Sequence, residues 1–439
     1  MVELKRTELT VRAERAILVQ VRPPAHEEQS GASLAELRSL AQTANAPVLG
    51  ELTQARPSVS PATYLGKGKV SELAAMCRAL KADIVICDDD LKPSQVSKLE
   101  AALDTKVVDR SELILDIFAQ HARTRQAKLQ VELAQLEYAF PRLKRMWTHL
   151  DRTAGGVVGG IGVRGPGEKQ LEMDRRLVQK RIYDLKKELS KVGERRQRMV
   201  SARNEQFMTV ALVGYTNAGK STLMNALTEA GVSVRDRLFE TLDTRTRQWT
   251  LPDGRSVMLS DTVGFIRKLP HHLVASFHAT LEEAREANLL LHVADASSPA
   301  ADTQIEAVLD VLKEIECTGK PVLLVLNKMD ALTDVGRLPL LRRIAEECVC
   351  VSALAGDGIP ALAQKVQEFL DREQVELTVE TGVGNGKLLA LLHKRGKVLD
   401  RSYGNGEVQL RVRVPQNLMG VIESLGGRIT NSVPGPGGR

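Results

Sequence analysis

The chain has 439 residues with a net charge of +6, and 43% of them are hydrophobic, 26% charged and 3% aromatic, which predicts about three globular domains at roughly 150 residues each. The scarcity of aromatic residues disfavours a base-stacking RNA-binding domain, and the lack of an apolar run of about 18 residues or of a signal-peptide core predicts a cytoplasmic protein without an integral membrane segment. Residues 121–205 contain 20 Lys and Arg against 10 Asp and Glu, so one segment rather than the whole surface is expected to bind a polyanion.

Cysteine usage also favours the cytoplasm. Cys77, Cys87 and Cys317 are scattered, and Cys348 and Cys350 lie in an apolar, strand-like run. Because none of these spacings suits a metal ion, reduced thiols in the core are the favoured interpretation. The sequence leaves open whether a fraction of the protein associates with membranes.

Residues 1–120 predict a small α/β domain. Short apolar runs, such as AILVQV at 16–21 and IVIC at 84–87, alternate with helical patterns at 33–43, 70–81 and 93–102. The segment YLGKGK at 64–69 comes just before a helical pattern. Two interpretations of it stay open, a phosphate-binding helix N-terminus and a glycine turn that only leads into the helix.

Residues 121–205 predict a basic, antiparallel helical hairpin, because two apolar stripes follow heptad spacing. The stripes are Leu129, Leu133, Leu136, Phe140, Leu143, Trp147 and Leu150 in the first helix, and Leu171, Val178, Ile182, Leu185, Leu189 and Val192 in the second.

A glycine-rich loop at 155–167 connects the two predicted helices. The basic residues in or beside it are Arg152, Arg164, Lys169, Arg175 and Arg176. We expect such a loop to follow a nucleic-acid backbone closely, because glycine has no Cβ to obstruct the approach. A plain structural arm and a disordered connector remain the alternatives.

Residues 206–371 carry the motifs of a nucleotide-binding domain. An apolar run leads into Gly214-Tyr-Thr-Asn-Ala-Gly-Lys-Ser221 and then into a helical pattern, which is the strand–loop–helix context of a P-loop. Lys220 is expected to reach the terminal phosphates, and the Ser221 hydroxyl to bind Mg²⁺. Asp261 is expected in the second shell of that ion, and the Gly264 amide at the γ-phosphate. The predicted residues of this half of the site are Gly214, Tyr215, Thr216, Asn217, Ala218, Gly219, Lys220, Ser221, Thr222, Asp261, Thr262, Val263 and Gly264.

A second pair of motifs predicts guanine specificity. The first is Asn327-Lys328-Met329-Asp330, in which the Asp330 carboxylate can accept hydrogen bonds from guanine N1 and N2. Adenine lacks that pair of donors, so ATP would leave a buried carboxylate unpaired. The second motif is Ser352-Ala353-Leu354, which follows a strand-like run and is expected to cover the base.

The segment between the P-loop and Asp261 is expected to be a switch that contacts the nucleotide. Its predicted binding residues are Phe239, Glu240, Thr241, Leu242 and Asp243. One threonine of this region must offer its hydroxyl to Mg²⁺ when the γ-phosphate is present. Thr241, Thr244 and Thr246 are equally suitable on chemical grounds alone.

Phe265 follows the Asp-x-x-Gly motif, at the position where many small GTPases have a glutamine that orients the attacking water. Because phenylalanine cannot orient water, hydrolysis needs another group, a partner or a cation, and we expect slow intrinsic turnover. Asn217 either holds K⁺ beside the phosphates or only shapes the loop.

Residues 372–439 predict a small α+β domain with a flexible tail. The pattern contains a strand at VELTV, a helix at 387–394, a strand at 408–414 and a helix at 418–425. The final NSVPGPGGR is rich in Gly and Pro and is expected to be disordered.

Five of these motifs together resemble the HflX family of bacterial ribosome-associated GTPases, in the Obg-HflX group, over nearly the whole chain. They are YLGKGK at 64–69, GGIGVRGPGEKQLEMDRR at 159–176, GYTNAGKSTLMNAL at 214–227, FETLDTRTR at 239–247 and DTVGFIRKLPHHLVASFHATLEE at 261–283. The chain departs from the family pattern at Lys169, Met173, Glu240 and Arg245, and the added positive charge near the glycine-rich loop suits contact with RNA.

The resemblance implies a catalytic group of Lys220, Thr241 and Gly264, with Thr241 as the threonine that binds Mg²⁺. It further implies binding to the large ribosomal subunit and its rRNA, with the arm directed toward the peptidyl-transferase region, and the splitting or rescue of ribosomes under stress. It also implies an adenine-nucleotide site, for ATP, in the N-terminal domain.

The predicted fold is therefore α/β, with a P-loop GTPase domain preceded by a small α/β domain and a long helical hairpin, and followed by a small α+β domain. We expect a monomer. One alternative function is a GTP-gated switch that recruits a protein effector without contacting RNA, and the basic hairpin argues against it. A second, a tRNA-modifying GTPase, would need a further catalytic cluster, and the sequence shows none.

Overall fold

The computed structural model describes residues 14–22, 27–153, 166–228, 238–239, 242, 244–267, 278–317, 319–372, 374–404, 406–415 and 418–434. Within these ranges the strands form three sheets, of four, six and four strands. No helix in the described part of the chain is both long and apolar enough to span a bilayer.

The first sheet is parallel and lies in the N-terminal domain. Its strands are β1 (Ala16–Arg22), β2 (Val48–Ala55), β3 (Ile84–Cys87) and β4 (Lys106–Asp109), in the order β2-β1-β3-β4. Its helices are α1 (Glu27–Thr43), α2 (Lys67–Leu80), α3 (Pro93–Leu103) and α4 (Arg110–His121). Apolar clusters cover both faces of the sheet, α1 and α4 on one and α2 and α3 on the other, which is why β3 is apolar throughout.

Two long helices follow, α5 (Arg125–Thr153) and α6 (Pro166–Gln206). Arg125 pairs with Glu188, and Arg181 pairs with Glu132 at 2.8 Å, so positions advance along α5 as they recede along α6. The helices are therefore antiparallel. Their shared apolar core contains Leu129, Leu133, Leu136, Ile182, Leu185 and Leu189, all of which belong to the predicted heptad stripes.

The second sheet belongs to the P-loop domain and is built around β5. Its strands are β5 (Thr209–Gly214), β6 (Arg245–Thr250), β7 (Ser256–Asp261), β8 (Leu289–Asp295), β9 (Val322–Asn327) and β10 (Cys348–Cys350), in the order β10-β9-β8-β5-β7-β6. Only the β6–β7 pairing is antiparallel among these described strands. The described helices are α7 (Lys220–Thr228), α8 (His278–Glu286), α9 (Ala301–Glu314), α10 (Leu338–Arg342) and α11 (Ile359–Arg372).

The β5 strand is flanked by β7 and β8, so the strand order reverses at its carboxyl end. In open α/β sheets, ligands bind in the crevice that such a reversal creates. The fold therefore places the predicted P-loop at the expected ligand-binding edge. The predicted α/β fold with a P-loop domain is confirmed.

The third sheet is antiparallel and forms the C-terminal domain. Its strands are β11 (Gln374–Gly382), β12 (Lys397–Gly404), β13 (Glu407–Pro415) and β14 (Arg428–Pro434), in the order β12-β13-β11-β14. The helices α12 (Gly386–Arg395) and α13 (Met419–Ser424) pack on one face of the sheet.

The prediction of a flexible tail was wrong for residues 431–434. They belong to β14, where Ser432 lies opposite Leu377 and Pro434 opposite Val375. Proline is tolerated there because β14 is an edge strand. Its missing N–H would face the outer side, where no further strand accepts a hydrogen bond. Residues 435–439 lie outside the described part.

Candidate nucleotide-binding site

The P-loop turns sharply at two glycines where a side chain would not fit. Gly214 has φ +152°, and a Cβ there would lie 2.1 Å from the Val293 carbonyl oxygen. Gly219 has φ +89°, and a Cβ there would lie 2.3 Å from Asn327 Nδ2. Between them Asn217 also has a positive φ, of 60°. These positions explain why the loop needs glycine at both ends of the phosphate cradle.

Lys220 is buried at the start of α7 with its amine turned back over the loop. Its Nζ donates hydrogen bonds to the carbonyl oxygens of Gly214 at 3.0 Å and Tyr215 at 2.8 Å. Burial lowers the pKa of Lys220 to about 8, although the nearby Asp261 carboxylate opposes that shift. A phosphate would give this amine the negative partner that stabilises its charged form.

Ser221 and Asp261 come together as the metal prediction requires. The Ser221 hydroxyl donates to Asp261 Oδ2 at 2.7 Å, across the gap between α7 and the end of β7. A hydroxyl and a carboxylate are oxygen ligands of the kind that Mg²⁺ prefers. The residues present therefore fit a Mg²⁺ ion at this position.

The Asp-x-x-Gly segment is held against the P-loop by backbone hydrogen bonds. The Phe265 amide donates to the Gly214 carbonyl at 3.0 Å, and the Thr216 amide donates to the Phe265 carbonyl at 2.7 Å. A Cβ on Gly264 would lie 2.8 Å from Thr216 Cγ2 and 3.1 Å from Lys220 Nζ. Gly264 is thus beside the amine expected at the terminal phosphate. Preceding it, Thr262 is fully buried and donates to the Leu212 carbonyl at 2.7 Å.

The two predicted base-binding loops lie together. The Asn327 side chain donates to the Ala218 carbonyl at 2.9 Å and accepts from the Ala353 amide at 3.0 Å, so it joins the P-loop to the second loop. The Ser352 hydroxyl donates to Asp330 Oδ1 at 2.5 Å, which fixes the carboxylate that is expected to meet guanine.

Three further predicted residues belong to these loops. Lys328 has φ +60°, and its Nζ forms an ion pair with Asp295 at 2.8 Å. The Met329 amide donates to the Val351 carbonyl at 3.2 Å, and Leu354 is 82% exposed. An exposed leucine beside buried polar groups is suited to lie over a planar ring.

The switch threonines are only partly within the described residues. Glu240, Thr241 and Asp243 lie outside them, so the choice of Thr241 stays a prediction. Thr246 lies in β6, where its hydroxyl is 3.0 Å from that of Ser260. Thr244 immediately precedes β6 and is partly buried.

Residues of the N-terminal domain contact the P-loop, which the sequence analysis did not predict. The Tyr215 hydroxyl donates to Glu36 of α1 and accepts from the Arg267 amide at 2.8 Å. Arg110, at the start of α4, is 1% exposed and donates to Glu36, to Asp88 at 2.8 Å and to the Arg267 carbonyl at 3.2 Å. The P-loop and the segment after Phe265 therefore share one buried polar network with the N-terminal domain.

Aromatic packing extends this interface to the switch. Phe239 has φ +56°, and its ring meets Phe118 of α4 edge-on at 4.6 Å between centroids. Leu242, Phe265 and Ile266 join the same apolar cluster as α1 and α4. Phe265 is thus buried in the domain interface. In the sequence, only Arg110 could have indicated these contacts, because it is a charged residue directly before the apolar run of α4.

The glycine-rich loop lies outside the described residues up to position 165, and α6 begins at Pro166. Nearby, the Arg175 guanidinium lies 5.1 Å from the centre of the Phe140 ring. Arg176, Lys180, Lys187 and Lys191 follow spacings of four, seven and four along α6 and are exposed on the side opposite the apolar core. This basic stripe belongs to the predicted polyanion-binding segment.

At the YLGKGK segment, α2 begins at Lys67, and the Gly66 amide donates to Gln54 Oε1 at 2.9 Å. Tyr64 is buried, and its hydroxyl donates to Asp89 at 2.6 Å. The segment thus has a structural role in the domain, and the ATP site stays a prediction.

The chain is similar to proteins of one family along most of its length. Family models described as GTP-binding GTPase N-terminal, GTP-binding GTPase Middle Region and 50S ribosome-binding GTPase match residues 31–119, 121–203 and 209–328. GTPase HflX of Lacrimispora saccharolytica is 44% identical over 420 residues, which cover 95% of this chain and 96% of that protein. GTPase HflX of Escherichia coli is 43% identical over 408 residues, which cover 92% and 94%.

Among solved structures, a GTP-binding protein from the hyperthermophilic archaeon Sulfolobus solfataricus, in complex with GDP, is similar to this chain. It is 24% identical, covers 81% of this chain and 98% of its own, and has a TM-score of 0.44.

Proposed function

Because the chain belongs to the HflX family of GTPases, we propose that it binds the large ribosomal subunit through the basic hairpin and splits or rescues ribosomes in the cytoplasm under stress. GTP hydrolysis is the switch that controls this binding. The family model that matches the P-loop domain is described as a 50S ribosome-binding GTPase, which supports the choice of partner. The division into 1–120, 121–205, 206–371 and 372–439 is part of the proposal.

The observation that carries the proposal is the basic stripe of α6. Lys180, Lys187 and Lys191 are exposed, and none of them forms an ion pair with any residue that the structure describes. The opposite side of the hairpin closes its own apolar core, so the stripe is not needed for folding. Such a surface is suited to RNA phosphates, whose binding releases counterions. A switch that only recruits a protein effector would not need this basic surface.

In the nucleotide site, we assign the phosphates to Lys220 and the Gly264 amide, and the base to Asp330 with Asn327 and Ala353. Ser221 and Thr241 are the proposed Mg²⁺ ligands, with Asp261 behind them. Bound Mg²⁺ would offset the negative charge of the β- and γ-phosphates.

The burial of Phe265 supports slow intrinsic hydrolysis that a partner accelerates. Its side chain is 2% exposed within the domain interface, so it neither orients water nor blocks the nucleotide pocket. A group from the ribosome, or K⁺ held at Asn217, would complete the site.

The test is co-sedimentation with isolated large subunits over a salt series. The variant Lys180→Gln/Lys187→Gln/Lys191→Gln should weaken binding and reduce the slope of log K against log salt by up to about one per lysine that contacts a phosphate. The matched control Lys98→Gln/Arg343→Gln/Lys387→Gln removes the same charge from exposed positions elsewhere. Equal binding and equal slopes for the two variants would reject the hairpin as the RNA-binding surface and favour the effector switch.

A further inference from the structure

Two cysteines lie side by side on the edge of the P-loop domain's sheet. Cys348 and Cys350 belong to β10, the edge strand that begins the order β10-β9-β8-β5-β7-β6, and both are partly exposed. The remaining cysteines, Cys77, Cys87 and Cys317, are buried. This pair lies at the margin of the core, because Val349 points into the main core while both cysteines are half-buried against a smaller apolar cluster on the face toward α10.

The two thiols differ in their surroundings. Arg342, at the end of α10, donates a hydrogen bond from Nη2 to Cys350 Sγ at 3.3 Å. Partial burial and the adjacent Cys350 raise the pKa of Cys348 to about 11, so Cys348 remains protonated in the reduced protein. The two cysteines are two positions apart on β10, so their side chains lie on the same face of the strand. Cys350 has a guanidinium ready to offset negative charge on sulfur, and Cys348 has none in hydrogen-bonding contact within the described part of the chain.

The backbone beside Cys350 supports the guanine-binding loops. The next residue, Val351, donates to the Leu326 carbonyl at 2.8 Å and accepts from the Met329 amide at 3.2 Å. A Cβ on Gly358 would lie 2.2 Å from the Cys350 carbonyl oxygen, so the returning loop also packs closely on this position. A displacement of Cys350 would reach both Met329 and Ser352.

We propose that Cys350 and Cys348 form an oxidation site for hydroperoxides, and that its disulfide weakens guanine-nucleotide binding. The Cys350 thiolate attacks one oxygen of the hydroperoxide, the O–O bond breaks, and hydroxide or alkoxide leaves with the electron pair. Cys350 is thereby oxidised to a sulfenic acid, and the peroxide is reduced. The Cys348 sulfur then attacks the Cys350 sulfur, the S–O bond breaks, and the departing hydroxide takes the Cys348 proton and leaves as water.

Forming the disulfide shortens the strand, because the two cysteines are farther apart on an extended strand than in most disulfides. Residues two apart on a strand have Cα atoms about 6.6 Å apart, at the upper end of the disulfide range of about 4.4–6.8 Å. Closing the S–S bond draws β10 together and moves Val351 relative to Met329. This inference does not depend on ribosome binding, since its readout is nucleotide affinity alone.

The test uses the full chain, reduced and then treated with hydrogen peroxide. Peptide mass spectrometry should find a Cys348–Cys350 disulfide, and the Kd for a fluorescent GDP analogue should rise about tenfold, which corresponds to about 1.4 kcal/mol. Dithiothreitol should restore the original Kd in the same wild-type sample. In Cys348→Ser, a sulfenic-acid trap should label Cys350, and Arg342→Gln should slow that labelling.

The control is Cys317→Ser, which removes a buried thiol and should respond to peroxide as wild type does. Cys350→Ser should keep its affinity after the same treatment. The proposal is overturned if the trap labels a buried cysteine of Cys348→Ser instead of Cys350, or if Cys350→Ser loses affinity as wild type does. A disulfide that forms without any change in Kd would equally overturn the link to the nucleotide site.

Discussion

At the scale of single residues, the proposed selectivity for guanine depends on one carboxylate. Ser352 and the turn after β9 hold Asp330 in place. Asp330→Asn should reduce the preference for GTP over ATP by at least about 100-fold, because an amide cannot accept both guanine donors. Competition of each nucleotide against a fluorescent GDP analogue measures this ratio. Asp310→Asn, on the exposed face of α9, is the control, and an unchanged ratio in Asp330→Asn would refute the assignment.

Lys220 predicts a pH dependence of nucleotide binding. Burial lowers its pKa to about 8, and the phosphate that we assign to it needs the protonated amine. Below pH 8 the amine is already charged, whereas above pH 8 binding must take up a proton. Nucleotide affinity should therefore fall as pH rises through 8, by up to about tenfold per pH unit. Lys220→Arg, which stays charged, should bind with a flatter profile between about pH 7 and pH 9, and identical profiles would contradict the account.

At the scale of elements, the packing interface between α4 and α5 contains a carboxyl group that opposes folding at neutral pH. Burial, and then the charge of Asp109, raise the pKa of Glu112 to about 7 from 4.5, while the Tyr138 hydroxyl donates to Asp109 Oδ1 at 2.7 Å and lies 3.3 Å from Glu112 Oε2. A carboxyl pKa raised by folding costs nothing below about pH 4.5, and the cost grows as pH rises to about 7.

Glu112→Gln should therefore stabilise the protein increasingly with pH, by about 1–2 kcal/mol at pH 8 and by close to zero at pH 4.5. Denaturant unfolding at both pH values measures this difference. Glu346→Gln, at an exposed position, is the control. A stabilisation that is the same at both pH values would contradict the assigned cause.

The elements show what a sequence pattern can and cannot predict. The P-loop strand and the heptad stripes of α5 and α6 were predictable because long periodic patterns and a required glycine turn mark them. The strands β4, β12 and β14 were missed, since β4 has four residues and β12 has a mixed polar sequence with a bulge after Val398. The pairing of β14 is with β11, far earlier in the chain, so no local pattern predicts it.

At the scale of the whole molecule, residues of the N-terminal domain contact the P-loop and help to hold it in place. Glu36 and Tyr215 are 179 positions apart, so no local pattern predicts their contact. The same apolar cluster contains residues of α4 and of α5, the first helix of the basic hairpin. The nucleotide loops and the proposed RNA-binding arm are therefore linked through one packed interface.

This interface predicts that Arg110→Ala is strongly destabilising. Removing the guanidinium leaves the Asp88 and Glu36 carboxylates without their cation inside the interface, at a cost of about 3–5 kcal/mol. Arg110→Lys should recover only part of this, because an ammonium cannot bridge three acceptors in one plane. Denaturant unfolding measures both variants, with exposed Arg343→Ala as the control. A loss below about 1 kcal/mol would show that the network contributes little to stability.

The most direct test of the central claim is the rate of GTP hydrolysis by the purified protein as isolated large ribosomal subunits are added. The account predicts slow turnover alone, acceleration that saturates with large subunits and not with small ones, and loss of that acceleration in Lys180→Gln/Lys187→Gln/Lys191→Gln. The assay is run in K⁺ and in Na⁺, which separates an effect of the cation from that of the subunit. Fast hydrolysis without ribosomes, or a rate that large subunits leave unchanged, would contradict it.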